Sequence, residues 1–200
     1  MRDWLIYRTF WDLTVTGVAL GSIYALVALG YTLVYGVLRL INFAHSEVFM
    51  IGTFSALVAS GIMGVKVEDD PRTGWGMIFT LLVCLLAAMI ASAVTAVLVE
   101  IIAYRRLRQR GATKLATLIS AIGVSISLVE AFRIITDSLP REFPRIMEKT
   151  FLFSYAGADI RNDKVIVIVA AALMMFALER FISKSRYGKG IRAVSMDENT

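Results

Sequence analysis

From Leu13 to Val37 the chain carries no Asp, Glu, Lys or Arg, and four further apolar runs follow, roughly Ala44 to Met63, Trp75 to Ala103, Leu115 to Ile135 and Val165 to Ile182. A helix needs about 20 mostly apolar residues to cross the hydrocarbon layer of a membrane. These runs therefore predict an all-α fold, a polytopic transmembrane helix bundle of about five spans. Strands of a membrane β-barrel would alternate apolar and polar residues over about ten positions, and continuous runs exclude that pattern. Composition agrees: 58% of residues are hydrophobic and 18% charged, with a mean hydropathy of +0.70. The first run is also too long for the apolar part of a secretory signal peptide, about 7 to 15 residues, and no small-x-small cleavage site follows it.

The net charge of +5 is concentrated in short blocks, which points to membrane orientation and away from nucleic-acid binding. Arg105, Arg106, Arg108, Arg110 and Lys114 follow the third run, and Arg180, Lys184, Arg186, Lys189 and Arg192 follow the fifth. Positive residues flank spans on the cytoplasmic side, and two spans between the blocks satisfy parity. The loop at Glu68, Asp69 and Asp70 and the connection from Leu139 to Asp163 then lie outside, as does the amino terminus. The Asn42 to Glu47 cluster falls near the cytoplasmic face.

That cluster, in LINFAHSEVFMIG, holds Asn42, the chain's one histidine, His45, then Ser46 and Glu47. On one reading Asn42 is a helix N-cap, and Glu47 complements the positive end of the second helix. On the other, backbone N–H groups at a helix start and an acidic side chain suit a zwitterionic solute. Both readings use the same residues. In the first run Gly17 and Gly21, continued by Ala25, permit close helix approach, while Tyr24, Tyr31 and Tyr35 share a side and serve either packing or a polar path. In the fourth run Thr113, Thr117, Ser120, Gly123, Ser127 and Glu130 recur every three or four residues on one face. That stripe suits helix contact or a water-accessible path, and Glu130 with Arg133 suits an ion pair near the outer end.

Several chemistries are excluded. No phosphate-binding G-x-x-x-x-G-K-[ST] occurs, so any ATP use must come from a partner. His45-Ser46-Glu47 matches the H-x-E fragment of zinc deaminases, whose P-C-x-x-C half is missing. Cys84 is the one cysteine, so no intrachain disulfide and no multi-cysteine metal site forms. No catalytic residue, metal or cofactor is expected.

Three segments, GSIYALVALGYTLVYGVLRLINFAHSEVFMIG, ISAIGVS at Ile119 to Ser125, and SRYGKGIRAVSMDEN, occur in this order and together resemble permease subunits of bacterial branched-chain amino acid ABC importers, especially the first of the two paired permeases. The resemblance covers nearly the whole chain. It implies a non-enzymatic permease in the bacterial inner membrane. Its implied partners are a second permease, two ATP-binding cassette subunits, a periplasmic solute-binding protein and membrane lipid, with no nucleic acid. It further implies one transmembrane permease domain over residues 1–200, with translocation or gating by Tyr31, Asn42, His45, Glu47, Ser120 and Ser127. Residues 183–200 resemble the cytoplasmic segment that docks in the ATPase, with Gly188, Lys189, Arg192, Ala193 and Asp197 as coupling residues and a compact turn expected at Gly188 and Gly190. Lys189 and Gly190 replace a frequent Arg-Ala of the family, and Ser195 a frequent Ala. Family members run roughly half as long again, so the resemblance implies a chain shortened at its carboxy terminus. Related permeases serve urea and short amides, leaving the solute open. A secondary transporter would need an intramembrane ion site and an internal repeat, and no repeat is visible. A membrane scaffold without transport is the third reading.

Overall fold

A computed structural model describes residues 2–38, 42–155 and 158–196. Its helices are α1 (Arg2–Leu38), α2 (His45–Ile62), α3 (Gly74–Val99), a π-helical turn (Glu100–Arg105), α4 (Arg106–Gln109), α5 (Lys114–Thr136), α6 (Asn162–Lys184) and α7 (Arg186–Met196). Strands β1 (Phe151–Tyr155) and β2 (Ala158–Arg161) form a small antiparallel hairpin in the connection before α6. Five helical segments are long and apolar enough to span a membrane, within a few residues of the five predicted runs. Their large apolar side chains point outward: Trp75, Ile62 and Ile134 are each more than three-quarters exposed. In water that pattern would be untenable, whereas lipid is their natural solvent.

The chain divides into two compact units, residues 1–39 with 149–200, and residues 40–148. In the first, α1 and α6 run parallel. Near their starts, Lys164 donates to Asp12 Oδ1 at 3.0 Å and to Thr16 Oγ1 at 2.8 Å. Near their ends, Leu29, Leu33 and Gly36 share a small cleft with Ile182 and Ile191. First and fifth spans of a simple alternating path must point the same way, so this contact supports the five-span count. If the basic block after α6 faces the cytoplasm, as its charge predicts, the start of α1 faces the other side. Helix α1 is unbroken. The close approach expected at Gly17 and Gly21 is not formed by the described residues: a methyl group on either would meet nothing within 4 Å.

In the second unit α2 and α3 are antiparallel, packed through small residues. Ser92 on α3 donates to the carbonyl of Val48 at 3.1 Å, and a Cβ on Gly52 would strike that same hydroxyl and then meet the Ala88 carbonyl at 3.4 Å. Near the outer end Ala59, Cys84, Val65 and Ile146 form a buried cluster. Arg72 closes the α2–α3 loop, donating to the carbonyl of Met63 at 2.6 Å and to Thr80 Oγ1 at 3.0 Å. Helix α5 packs on α2, with Phe54 and Phe132 ring centroids 5.2 Å apart.

Single cysteines replacing Asp12, Asp70 or Gln109, in a Cys84→Ala background, will sort by side. Membrane-impermeant reagents are expected to label the first two from outside and the third from the cytoplasm. Labelling of positions 12 and 109 from one side would remove the five-span topology. In the same unit, Gly52→Val is expected to destabilise the permease by about 1 to 3 kcal/mol, the usual cost of overfilling a close contact, read as a lower detergent melting temperature. A melting temperature equal to wild type would show that the α2–α3 seam is looser than described.

Candidate functional site

The polar cluster sits at the head of α2, the end of that span that the basic blocks predict to be cytoplasmic. Asn42 is not the N-cap expected from the sequence. Ala44 occupies that position and has no side-chain cap of its own. Asn42 stands two residues earlier, and its Oδ1 accepts from the Ala44 backbone N–H at 3.1 Å, an Asx-type turn that leads the chain into the helix. The same oxygen accepts a second hydrogen bond, 2.8 Å long, from the Tyr104 hydroxyl. Ala44 is fully buried against Val99, Tyr104 and Ala121. The turn is thus fixed by one amide oxygen and one alanine methyl, both held by the end of α3.

Glu47 does lie in the first turn of α2, as expected, and is buried, 8% exposed. Ser46 donates to its Oε2 at 3.0 Å. His45 is half-buried beside them. At 1.5 Å per residue, the 18 residues of α2 reach about 27 Å, close to the hydrocarbon thickness of about 30 Å. Glu47 therefore lies within a few ångströms of the helix start and far from mid-membrane.

Tyr104 reaches Asn42 because of the π-turn. Residues five apart on an α-helix point about 140° away from one another. In a π-turn, whose hydrogen bonds run from i to i+5, they are brought much nearer to one face. Val99 and Tyr104 are five apart, and both are buried on the same cluster. Glu100 and Arg108 form an ion pair across the turn on its exposed side.

Of the fourth-run stripe, Thr117 is buried, and Thr113 caps α5 by accepting from the Ala116 N–H at 3.3 Å. Ser120, Gly123 and Ser127 line an open cleft of about 630 Å³ shared with Ile51, Thr95 and Val99. Ser127 returns its hydroxyl to the Gly123 carbonyl of its own helix at 2.7 Å. The Glu130–Arg133 pair is formed at 2.9 Å and exposed, as expected. The structure therefore gathers Asn42, His45, Glu47, Ser120 and Ser127 into one unit, on α2 and α5. Tyr31 belongs to α1 in the other unit, half-buried, while Tyr24 and Tyr35 are exposed.

The carboxy-terminal segment also differs from its expectation. Gly188 and Gly190 do not make a compact turn; both lie inside α7. Ser185 separates α6 from α7, and its hydroxyl accepts from the Gly188 N–H at 2.9 Å. A side chain at Gly188 would collide with the Ile182 carbonyl, so close approach, rather than an unusual backbone angle, requires glycine there. Arg192 turns back to donate to the carbonyls of Ile182 and Ser183 at 2.6 and 3.2 Å, closing the end of α6. Lys189 and Ala193 are exposed on α7. Asp197 lies outside the described residues.

Sequence reasoning missed Tyr104, Gly52 and Ser92. A tyrosine next to a basic block reads as an interfacial residue, and nothing in the spelling of EIIAYR announces a π-turn. Gly52 and Ser92 are small residues in apolar runs, a weak signal until their partners are known.

Among the described residues, five helices long and apolar enough to cross a membrane define a multi-pass membrane protein. The family described as the permease component of branched-chain amino acid transport systems matches residues 13–200. The chain belongs to that family. It is 38% identical over 186 residues to the high-affinity branched-chain amino acid transport system permease protein BraD of Pseudomonas aeruginosa, covering 92% of this chain and 58% of that protein. Against the permease protein LivH of Escherichia coli it is 34% identical over 185 residues, covering 90% and 57%. The chain thus spans less than two thirds of the length of these relatives. No solved structure matches it.

Gly188→Ala is expected to push α7 off the end of α6, so that limited proteolysis cuts between the two helices several-fold faster than in wild type. An unchanged cleavage rate would show that the contact at the Ile182 carbonyl is readily relieved.

Proposed function

We propose that this chain is the permease subunit of an ATP-driven, binding-protein-dependent importer of branched-chain amino acids in the bacterial inner membrane, working as one permease domain. The observation that carries the reading is the family match, continuous from the first span through α7. The absence of a P-loop motif from the sequence makes ATP hydrolysis the work of partners. Those partners are two ATP-binding cassette subunits, a second permease and a periplasmic solute-binding protein. Urea, short amides or other amino acids are the solutes of the second reading, and the relatives, named as branched-chain amino acid permeases, favour the first.

Within that assembly we assign gating at the cytoplasmic mouth to Asn42, His45 and Glu47. Their position at the start of α2 supports gating or exit over recognition of solute deep in the membrane. Ser120 and Ser127, on the cleft, and Tyr31, on α1, are assigned to the translocation path. Gly188, Lys189, Arg192, Ala193 and Asp197 are assigned to coupling. The exposed basic side chain of Lys189 is available to a partner, and Arg192 and the close approach at Gly188 hold α7 against the end of α6, so that a push on α7 is transmitted to a span.

Reconstitution of the full-length permease with its partners in proteoliposomes tests this. ATP-dependent uptake of leucine, isoleucine or valine is expected, and uptake driven by an ion gradient without ATP would place the protein among secondary transporters. Glu47→Gln keeps shape and removes charge, and it is expected to lower uptake at least tenfold or uncouple ATP hydrolysis, at wild-type amounts of assembled complex. Wild-type uptake by both Glu47→Gln and His45→Ala would return the cluster to a helix start and nothing more.

A further inference from the structure

The geometry points to Tyr104 as a positioning residue for the gate, delivered to Asn42 by the π-turn Glu100–Arg105. This inference rests on the gating role proposed above for the Asn42–Glu47 turn. Three observations converge on it. The Tyr104 hydroxyl and the Ala44 N–H both donate to one atom, Asn42 Oδ1. Tyr104 is 6% exposed and Ala44 fully buried, so the contact is packed into the unit and does not lie on its surface. Among the described residues, the one departure of a membrane-spanning helix from α-geometry occurs where Tyr104 must be brought into line with Val99.

A π-turn holds one residue more than the α-helix needs, and passing that residue along the helix rotates the side chains it leaves behind. Tyr104 is placed to feel such a rotation. Rotated away, it takes its hydrogen from Asn42, and the Asx turn keeps only the Ala44 bond. The basic residues after the turn, Arg105 to Arg110, lie on the cytoplasmic side, where an ATP-driven partner would act. The π-turn is thus a mechanical link between that side and the head of α2. The tyrosine touches no solute in this scheme. It sets where the Asn42–Glu47 turn sits, and the turn acts.

The test uses the full-length permease with its partners, in a Cys84→Ala background, with one reporter cysteine at Phe43, an exposed residue of the turn. Tyr104→Phe keeps the ring and removes the donor. It is expected to raise the rate at which the reporter reacts with a maleimide about fivefold, the order of effect of one net hydrogen bond. Asn42→Leu should do the same, and adding Tyr104→Phe to it should cause no further rise. Asn42→Asp, which retains an acceptor for both donors, should stay near wild type. A control cysteine at Asp70, exposed in the α2–α3 loop, should react at one rate in all variants. In uptake, Tyr104→Phe is expected to lower the maximal rate several-fold and leave the half-saturating solute concentration unchanged, because solute is captured at the opposite end of the path. An unchanged reporter rate in Tyr104→Phe overturns the positioning role, whether or not the complex transports. A raised reporter rate with wild-type uptake overturns its link to the gate. Failure of the wild-type complex to show ATP-driven uptake would instead strike the proposed function, with the cysteine rates still deciding where Tyr104 acts.

Discussion

Inside a hydrocarbon layer an unpaired backbone N–H or C=O costs several kcal/mol, and this demand organises the chain. It makes each apolar run a helix, and it confines irregular backbone to places where side chains can supply the missing partners. Two such places stand out. The turn before α2 is completed by Asn42 Oδ1, and the break between α6 and α7 is completed by Ser185 and Arg192. Both lie at span ends that the basic blocks predict to be cytoplasmic. Helix ends there are therefore not simply exposed to water but closed by specific residues, and each closing group links one helix to another.

The packing between spans is correspondingly sparse. Lipid supplies no hydrophobic drive to bring helices together, so close contact depends on small residues and interhelical hydrogen bonds. Gly52 against Ser92, and Lys164 on Asp12 and Thr16, are the clearest examples. An interface of this kind can slide or separate at modest cost, which suits the gating proposed for this chain. Ser120, Ser127 and Thr95 stand among mostly aliphatic groups along the cleft.

The spans were legible because twenty-odd apolar residues in a row have no other use. The basic blocks predict an orientation, and the Lys164–Asp12 contact adds that α1 and α6 run the same way. Asn42 and Glu47 were picked out correctly as a helix-start pair, yet the N-cap assignment was two residues off. An asparagine can cap a helix or turn the chain just before it, and the distinction is made by Tyr104, sixty-two residues further on. Gly188 and Gly190 read as a turn because glycine usually marks one; the sequence does not reveal that the Ile182 carbonyl lies against the first of them. The π-turn was invisible for a related reason. Its cause is the alignment of Val99 and Tyr104 on Ala44, a tertiary demand that leaves no local signature.

If the head of α2 is a gate worked from the cytoplasmic side, its distance from the end of α3 must change during the transport cycle. Spin labels at Phe43 and Arg108 of the full-length permease, assembled with its partners, read that distance directly. Two distance distributions are expected, one in the resting complex and another with ATP trapped in the cassette subunits. A single distribution, the same in both states while ATP-driven uptake proceeds normally, would contradict the account.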